Sequence, residues 1–182
     1  MAAEEARFLS GAYRIKFATE AWERAEAARL RRDVFCTEQS LFETDDRDEI
    51  DRIAVPIVAL ATVAGIPYAV VGTVRIHESG PGTWSGSRLA VAPDHRRIAA
   101  LGPALIRVAV CSAHARGCTR FLAHVQSQNA ALFHGLHWST LAEVVLHGRP
   151  HHFMAADLAH YPPLDDAEHG ILALAKLPAA RS

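Results

Sequence analysis

Apolar and polar side chains alternate from Tyr13 to Phe17, which predicts a strand. The period then lengthens. Thr19 offers an N-cap, and Trp22-Glu-Arg-Ala-Glu-Ala-Ala-Arg-Leu30 is strongly helix-forming, so a helix is predicted to about Cys36. Residues 43–52 follow as an acidic loop or short helix. Ile57 to Ala64 and Tyr68 to His77 are β runs around Gly65-Ile-Pro67, which predicts a hairpin. A turn over 78–83 leads into a strand from Trp84 to Val91. Pro103 to Arg116 is amphipathic at helical spacing and stops at Gly117. Phe121 to Gln126 reads as a buried strand and Ala130 to His137 as a short helix. Thr140 to Leu146 and His152 to Ala156, around a Gly148-Arg-Pro150 turn, form a closing hairpin.

The predicted order is β-α-(α)-β-β-β-α-β-α-β-β. It gives an α/β (α+β) domain with a mixed sheet and helices on both faces. One domain is expected over 12–162, with a flexible N-terminus at 1–11 and a tail or docking segment at 163–182. No linker or internal repeat interrupts it.

Composition narrows the function classes. Half of the 182 residues are hydrophobic, enough for a full core. The formal net charge is −1 and no basic stripe follows any element, which argues against a nucleic-acid partner. No apolar run reaches the ~20 residues that span a bilayer. The first residues are acidic and lack an apolar stretch, so they are not a signal peptide. Cys36, Cys111 and Cys118 are odd in number and have no metal spacing; free thiols in a reducing cytoplasm are expected, and no metal site. The eleven histidines are scattered.

The most informative segment runs from Ser87 to Leu105. A strand ends at Val91, the chain turns at Pro93-Asp94, and a loop bearing Arg96 and Arg97 enters a helix near Gly102-Pro103. Such a loop offers unpaired backbone N–H groups at a helix N-terminus, an anion site. Ala99, Ala100, Gly102 and Ala104 are small enough for a diphosphate to approach, and the arginines suit phosphate oxygens. An ordinary strand–loop–helix connection has the same outline.

The segment resembles the pyrophosphate-binding motif of the GCN5-related N-acetyltransferase (GNAT) superfamily, hydrophobic-x-Val-x-Pro followed by Gln/Arg-x-x-Gly/Ala-x-Gly/Ala. Leu89, Val91 and Pro93 fill its first part; Arg97, Ala100 and Gly102 fill its second. No Gly-Lys-Ser/Thr follows, unlike a Walker loop. The resemblance covers roughly 12–160 and implies a mostly antiparallel sheet whose middle strands splay apart. It implies acetyl-CoA as co-substrate, with the pantetheine arm on the Leu89, Ala90 and Val91 backbone. The diphosphate would lie on Arg96, Arg97, Ile98, Ala99, Ala100, Leu101, Gly102, Pro103 and Ala104. A homodimer is a common form of such domains.

Two more segments fit the resemblance. Val125-Gln-Ser-Gln-Asn-Ala-Ala-Leu-Phe-His-Gly-Leu-His-Trp138 is similar to the family segment ending Phe-Tyr-x-x-x-Gly-Phe. Phe133 then stands where the family often has the tyrosine that protonates the departing thiolate. Asn129 and Gln126 are candidates for the cofactor or for capping the next helix. Leu30-Arg-Arg-Asp-Val-Phe-Cys-Thr-Glu-Gln39, Gly72-Thr-Val-Arg75, His151 and Met154-Ala-Ala-Asp-Leu158 resemble a branch encoded near nitrilases and linked to nitrogen starvation.

Acylating an amine requires a group that takes the ammonium proton. The candidates are His151, Glu38 and Glu78. Imidazole titrates nearest neutrality, although a turn histidine is more often structural. The acidic run Asp45, Asp46, Asp48, Glu49 and Asp51 would attract a cationic substrate or form a solvated face. Three readings remain. The first is acetyl transfer from acetyl-CoA to a small amine by direct attack. The second, suggested by Arg32, Phe35 and Glu49-x-Asp51, is similar to acyl-homoserine-lactone synthases, which use adenosylmethionine. The third, suggested by Phe133, is a non-catalytic CoA-binding module.

Overall fold

The computed structural model describes residues 11–176. The expectation for the first ten residues, and for the tail beyond 176, therefore lies outside the described residues. Strand β1 (Ala12–Phe17) is followed by helix α1 (Ala21–Arg32) and a wide π-type turn over Asp33–Glu38. Glu49–Arg52 is a short 3₁₀ turn. Strands β2 (Val55–Val63), β3 (Ile66–Gly80) and β4 (Thr83–Val91) form an antiparallel meander. Helix α2 (Leu101–Ala115) crosses to β5 (Arg120–Gln126), then come α3 (Ala130–Gly135), β6 (Trp138–Leu146), β7 (Arg149–Ala156) and β8 (Ile171–Leu174). The sheet order is β6-β7-β5-β4-β3-β2-β1-β8, with β4–β5 the parallel pair.

The alternation in each strand loads two cores. Tyr13, Ile15, Phe17, Ile57 and Ala59 face α2, whose Leu105, Val108 and Ala109 are buried against them. Close packing there depends on Gly72, where a Cβ would stand 2.9 Å from Leu105 Cδ1. Val58, Leu60 and Val70 face the other way, onto Ala27 and Leu30 of α1. A fully buried Val or Leu contributes about 1.5–3 kcal/mol relative to exposure, so these strands hold both layers.

Local differences from the sequence reading have clear causes. The start of α1 is capped by Glu23, not by Thr19. Its carboxylate accepts the Thr19 and Glu20 amides at 2.9 and 3.1 Å, while Lys16 Nζ lies 2.8 Å away. Thr19 Oγ1 instead accepts from Lys16 Nζ. Part of the segment read as a tail or docking segment pairs as β8 with β1, from Ala12↔Leu174 to Ile15↔Ile171. Gly170 makes this return possible: its φ is +70°, and a Cβ there would collide with Ile15 O.

Candidate active site

The register shows where the sheet opens. Strands β4 and β5 pair from Thr83↔Arg120 to Gly86↔Ala123 and no further. Beyond that point Ser87–Val91 and His124–Gln126 diverge into a fork. Strand β4 also bulges: Thr73 pairs with Ala90 and Arg75 with Ser87, so Arg88 and Leu89 together oppose Val74. Arg88 has φ +57°, the left-handed conformation that lets the extra residue fit. A cleft of about 480 Å³ passes through this fork.

At the mouth of the fork the chain turns through Pro93–His95 and enters α2. The N–H groups of Ile98, Leu101 and Ala104 bond within the turn and the first helical turn. Among the described residues, those of Arg97, Ala99, Ala100 and Gly102 have no backbone acceptor. Arg97 is exposed and has no hydrogen-bond or ion-pair partner among the described residues. Arg96 is committed elsewhere: its Nε donates to Val91 O at 3.0 Å and its other nitrogens hold Glu38 at 2.6 and 2.9 Å. Leu89 and Val91 lean on the α2-side core and Ala90 on the α1-side core, leaving the strand's backbone edge toward the fork.

The three proton-acceptor candidates are far from equivalent. Glu38 is clamped by Arg96, whose hydrogen bonds hold its carboxyl below the usual carboxylate range. Glu78 is exposed at the closed end of the fork, where its Oε1 accepts from Gly82 N at 3.0 Å. His151 is buried in the cleft wall on β7, opposite Gln126 in register. Its Nδ1 lies 2.9 Å from Arg149 O. A carbonyl can only accept, so Nδ1–H is the donor here and, in the neutral ring, Nε2 carries the lone pair. Asn129 and Phe133 also line the cleft; the Phe133 ring meets Trp138 edge-on at 5.1 Å.

The acidic run divides: Asp45 and Glu49 are exposed, as in a solvated face, whereas the other three carboxylates are tied into ion pairs. Asp46, Asp48 and Asp51 interlock with Arg31, Arg75 and Arg88, charges drawn from α1, β3 and the β4 bulge. Arg31 reaches Asp46 and Asp51 at 2.7 Å each, Arg75 reaches Asp48 at 2.6 Å, and Arg88 reaches Asp46 at 3.0 Å. Arg75 donates to Asp48 and lowers its carboxyl pKa. Burial pushes the Asp51 carboxyl up, but bonds from Arg31, the Asp48 amide and Arg75 outweigh it and carry it well below the carboxylate range. Gln39 ties the first half of the chain to the second: its carbonyl accepts from Arg149, and its side chain accepts from Gln126 at 3.0 Å.

His77 and His124 also line this wall and were not singled out in the sequence. Burial lowers the pKa of both; Arg75 adds to this at His77 and His151 at His124. Among eleven histidines nothing in the local sequence separates them from surface residues.

The fork, with uncommitted amides at its mouth, is an arrangement that can hold an extended arm ending in a diphosphate. Residues 16–136 match the model of the Acetyltransferase (GNAT) family, and the chain belongs to that family. A comparison with curated proteins found no match. Among solved structures, an acyl-CoA N-acyltransferase from Pseudomonas aeruginosa is 18% identical with TM-score 0.60, covering 80% of this chain and 99% of that one. Escherichia coli ElaA is 18% identical with TM-score 0.66, covering 80% and 98%. BjaI, a CoA-dependent acyl-homoserine lactone synthase solved with SAM and isopentyl-CoA, is 21% identical with TM-score 0.58, covering 75% and 77%. No helix among the described residues is long and apolar enough to cross a membrane.

Proposed function

We propose that this protein transfers an acyl group from acyl-CoA, acetyl-CoA being the simplest donor, to the nitrogen of a small amine by direct attack. The observation that carries the reading is the fork between β4 and β5 with uncommitted amides and Arg97 at its mouth. The diphosphate sits on the N–H groups of Arg97, Ala99, Ala100 and Gly102. The pantetheine arm follows the free edge of Ser87–Val91, which brings the thioester to the narrow end near Gly86 and Ala123. The β4 bulge puts backbone N–H groups without β3 partners at that level, suited to the developing oxyanion.

In the reaction the amine lone pair forms the new C–N bond, His151 Nε2 takes the ammonium proton, and the C–S bond breaks to release the CoA thiolate. A thiolate, with a conjugate-acid pKa near ~8.5, leaves without an acid donor, so the missing hydroxyl at Phe133 does not stop turnover. This chemistry belongs in the cytoplasm, where acyl-CoA is made. The resemblance of 30–39 and 151–158 supports a role in nitrogen metabolism, and the protein is proposed to work as a homodimer.

One observation favours a second reading. The Arg31–Asp46–Arg88–Asp48–Arg75 network borders the acceptor side of the cleft, where a zwitterion such as adenosylmethionine could exchange with its pairs. The experiment is thiol release from acetyl-CoA with a panel of amines and, separately, adenosylmethionine, with products identified by mass. An acylated amine supports the first reading. Release only with adenosylmethionine replaces it with the second. No release with any acceptor leaves a CoA-binding module.

A further inference from the structure

The cleft does not end at the sheet. One wall, on the α1 side, carries the charged and titratable side chains Asp48, Arg75, Arg88, His124 and His151, interleaved with Phe35, Phe42 and Phe153. The other lies behind the sheet, between β4, β5 and α2. It is formed by Ile106, Ala109 and Val110 of α2 with Phe121, Phe133 and Trp138, and these carry no charge. Ile106, Ala109 and Val110 are spaced i, i+3, i+4, so one helix face supplies them. Phe121 and Phe133 each meet Trp138 edge-on, at 5.8 and 5.1 Å, and give the wall a rigid aromatic floor.

Three features say what this space takes. Its position follows from the path of the donor. From Val91 to Gly86 the free edge of β4 runs about 16 Å at the strand rise, which brings an extended arm from the phosphate loop to the fork. The chamber opens beside that point, on the side away from the acceptor wall. Its outline includes small residues: Ala109 is the smallest side chain of the α2 wall, and a Cβ on Gly86 would press on the Phe121 ring at 3.1 Å. Its lining is apolar, whereas interiors are otherwise close-packed; an apolar space that opens onto a substrate path suits an apolar group delivered along it. An acetyl methyl would barely enter it.

We propose that the space between α2 and the β4–β5 fork is an acyl-chain chamber, and that this protein prefers linear acyl-CoA donors in the butyryl to octanoyl range over acetyl-CoA. The proposal rests on the acyl-transfer reading for its reaction but not for its binding step. The carbonyl carbon stays at the fork, the acceptor approaches from the Arg88 and His151 side, and the chain lies behind it.

The test pairs equilibrium binding with turnover. Acetyl-, butyryl-, hexanoyl- and octanoyl-CoA are titrated calorimetrically into the full chain, and kcat/KM is measured for each with one fixed amine. Each seated methylene should tighten binding about fourfold, the equivalent of about 0.8 kcal/mol. Ala109→Leu should collapse the hexanoyl-to-acetyl ratio by tenfold or more, and Ile106→Ala should move the optimum to a longer chain. Ratios within one variant cancel any loss of folded protein. Affinity that is flat or falls with chain length, or an unchanged ratio in Ala109→Leu, overturns the chamber while acyl transfer stands. Affinity that rises with length but gives no turnover supports the chamber and overturns the transfer reading.

Discussion

Replacing His151 with Gln separates a catalytic imidazole from a structural one. The ring is buried, with Nδ1 held 2.9 Å from Arg149 O. Glutamine has similar reach, and its amide can donate to the same carbonyl, which limits the folding cost to about the 1 kcal/mol of one hydrogen bond. It has no basic nitrogen. General-base loss costs about 10² to 10⁴ in rate, so kcat/KM should fall at least a hundredfold, about 2.7 kcal/mol at the transition state. Acyl-CoA affinity, read by calorimetry, should not move, because the phosphate loop lies elsewhere. The pH dependence gives the second readout. An imidazole base loses its lone pair when protonated, so the parent rate falls as pH drops, and this limb should vanish in the variant. Groups facing the ring are Gln126 on β5, Val144 on β6 and the carbonyl of Arg149, with His124 the titratable neighbour. A variant that keeps the acid limb and a third of parent activity refutes the assignment and turns attention to His124 and His77 on the same wall.

Three further outcomes test other parts. Arg97→Glu places a negative charge beside the diphosphate amides and should weaken acyl-CoA binding by about 1.5–3 kcal/mol in calorimetry; equal affinities would remove the loop from the site. Asp46→Ala strips a partner from both Arg31 and Arg88, and because Asp46 is only 1% exposed the loss in urea unfolding should be about 3 kcal/mol or more. Asp48 and Asp51 have folded pKa values below their unfolded ones, so their stabilisation is complete above about pH 4 and is lost as pH falls through the folded values; Asp51→Asn should flatten this acid limb of stability.

Most of the framework was legible because it is written locally. The β1–β4 alternations, the Pro103–Arg116 helix and the Gly148 turn each carry their own period and punctuation, and the structure follows them within a few residues. The loop entering α2 was legible for the same reason: the N–H groups of Arg97, Ala99, Ala100 and Gly102 lack backbone acceptors among the described residues by virtue of chain geometry, not distant partners. The ion network was not, since Arg31, Asp46 and Arg75 lie far apart in sequence and only the fold makes them neighbours. Nor was the bulge, because nothing in Ser87-Arg-Leu marks Arg88 for a left-handed φ. Strand β8 escaped because Ile171-Leu-Ala-Leu is four residues long and its partner is β1, at the other end of the chain.

The narrow β4–β5 pairing has a mechanical consequence. The antiparallel strands on either side are braced along long ladders, such as Val55↔Ile76 to Val63↔Ile66, whereas the two plates meet only from Thr83↔Arg120 to Gly86↔Ala123. A seam this short supplies few ladder bonds, and Gln39 adds a tie-rod across the far side to Gln126 and Arg149. What joins the two plates is therefore the single core under α2, continuous from Tyr13, Ile57 and Val74 on one side to Phe121, Val125 and Met154 on the other, more than the ladder itself.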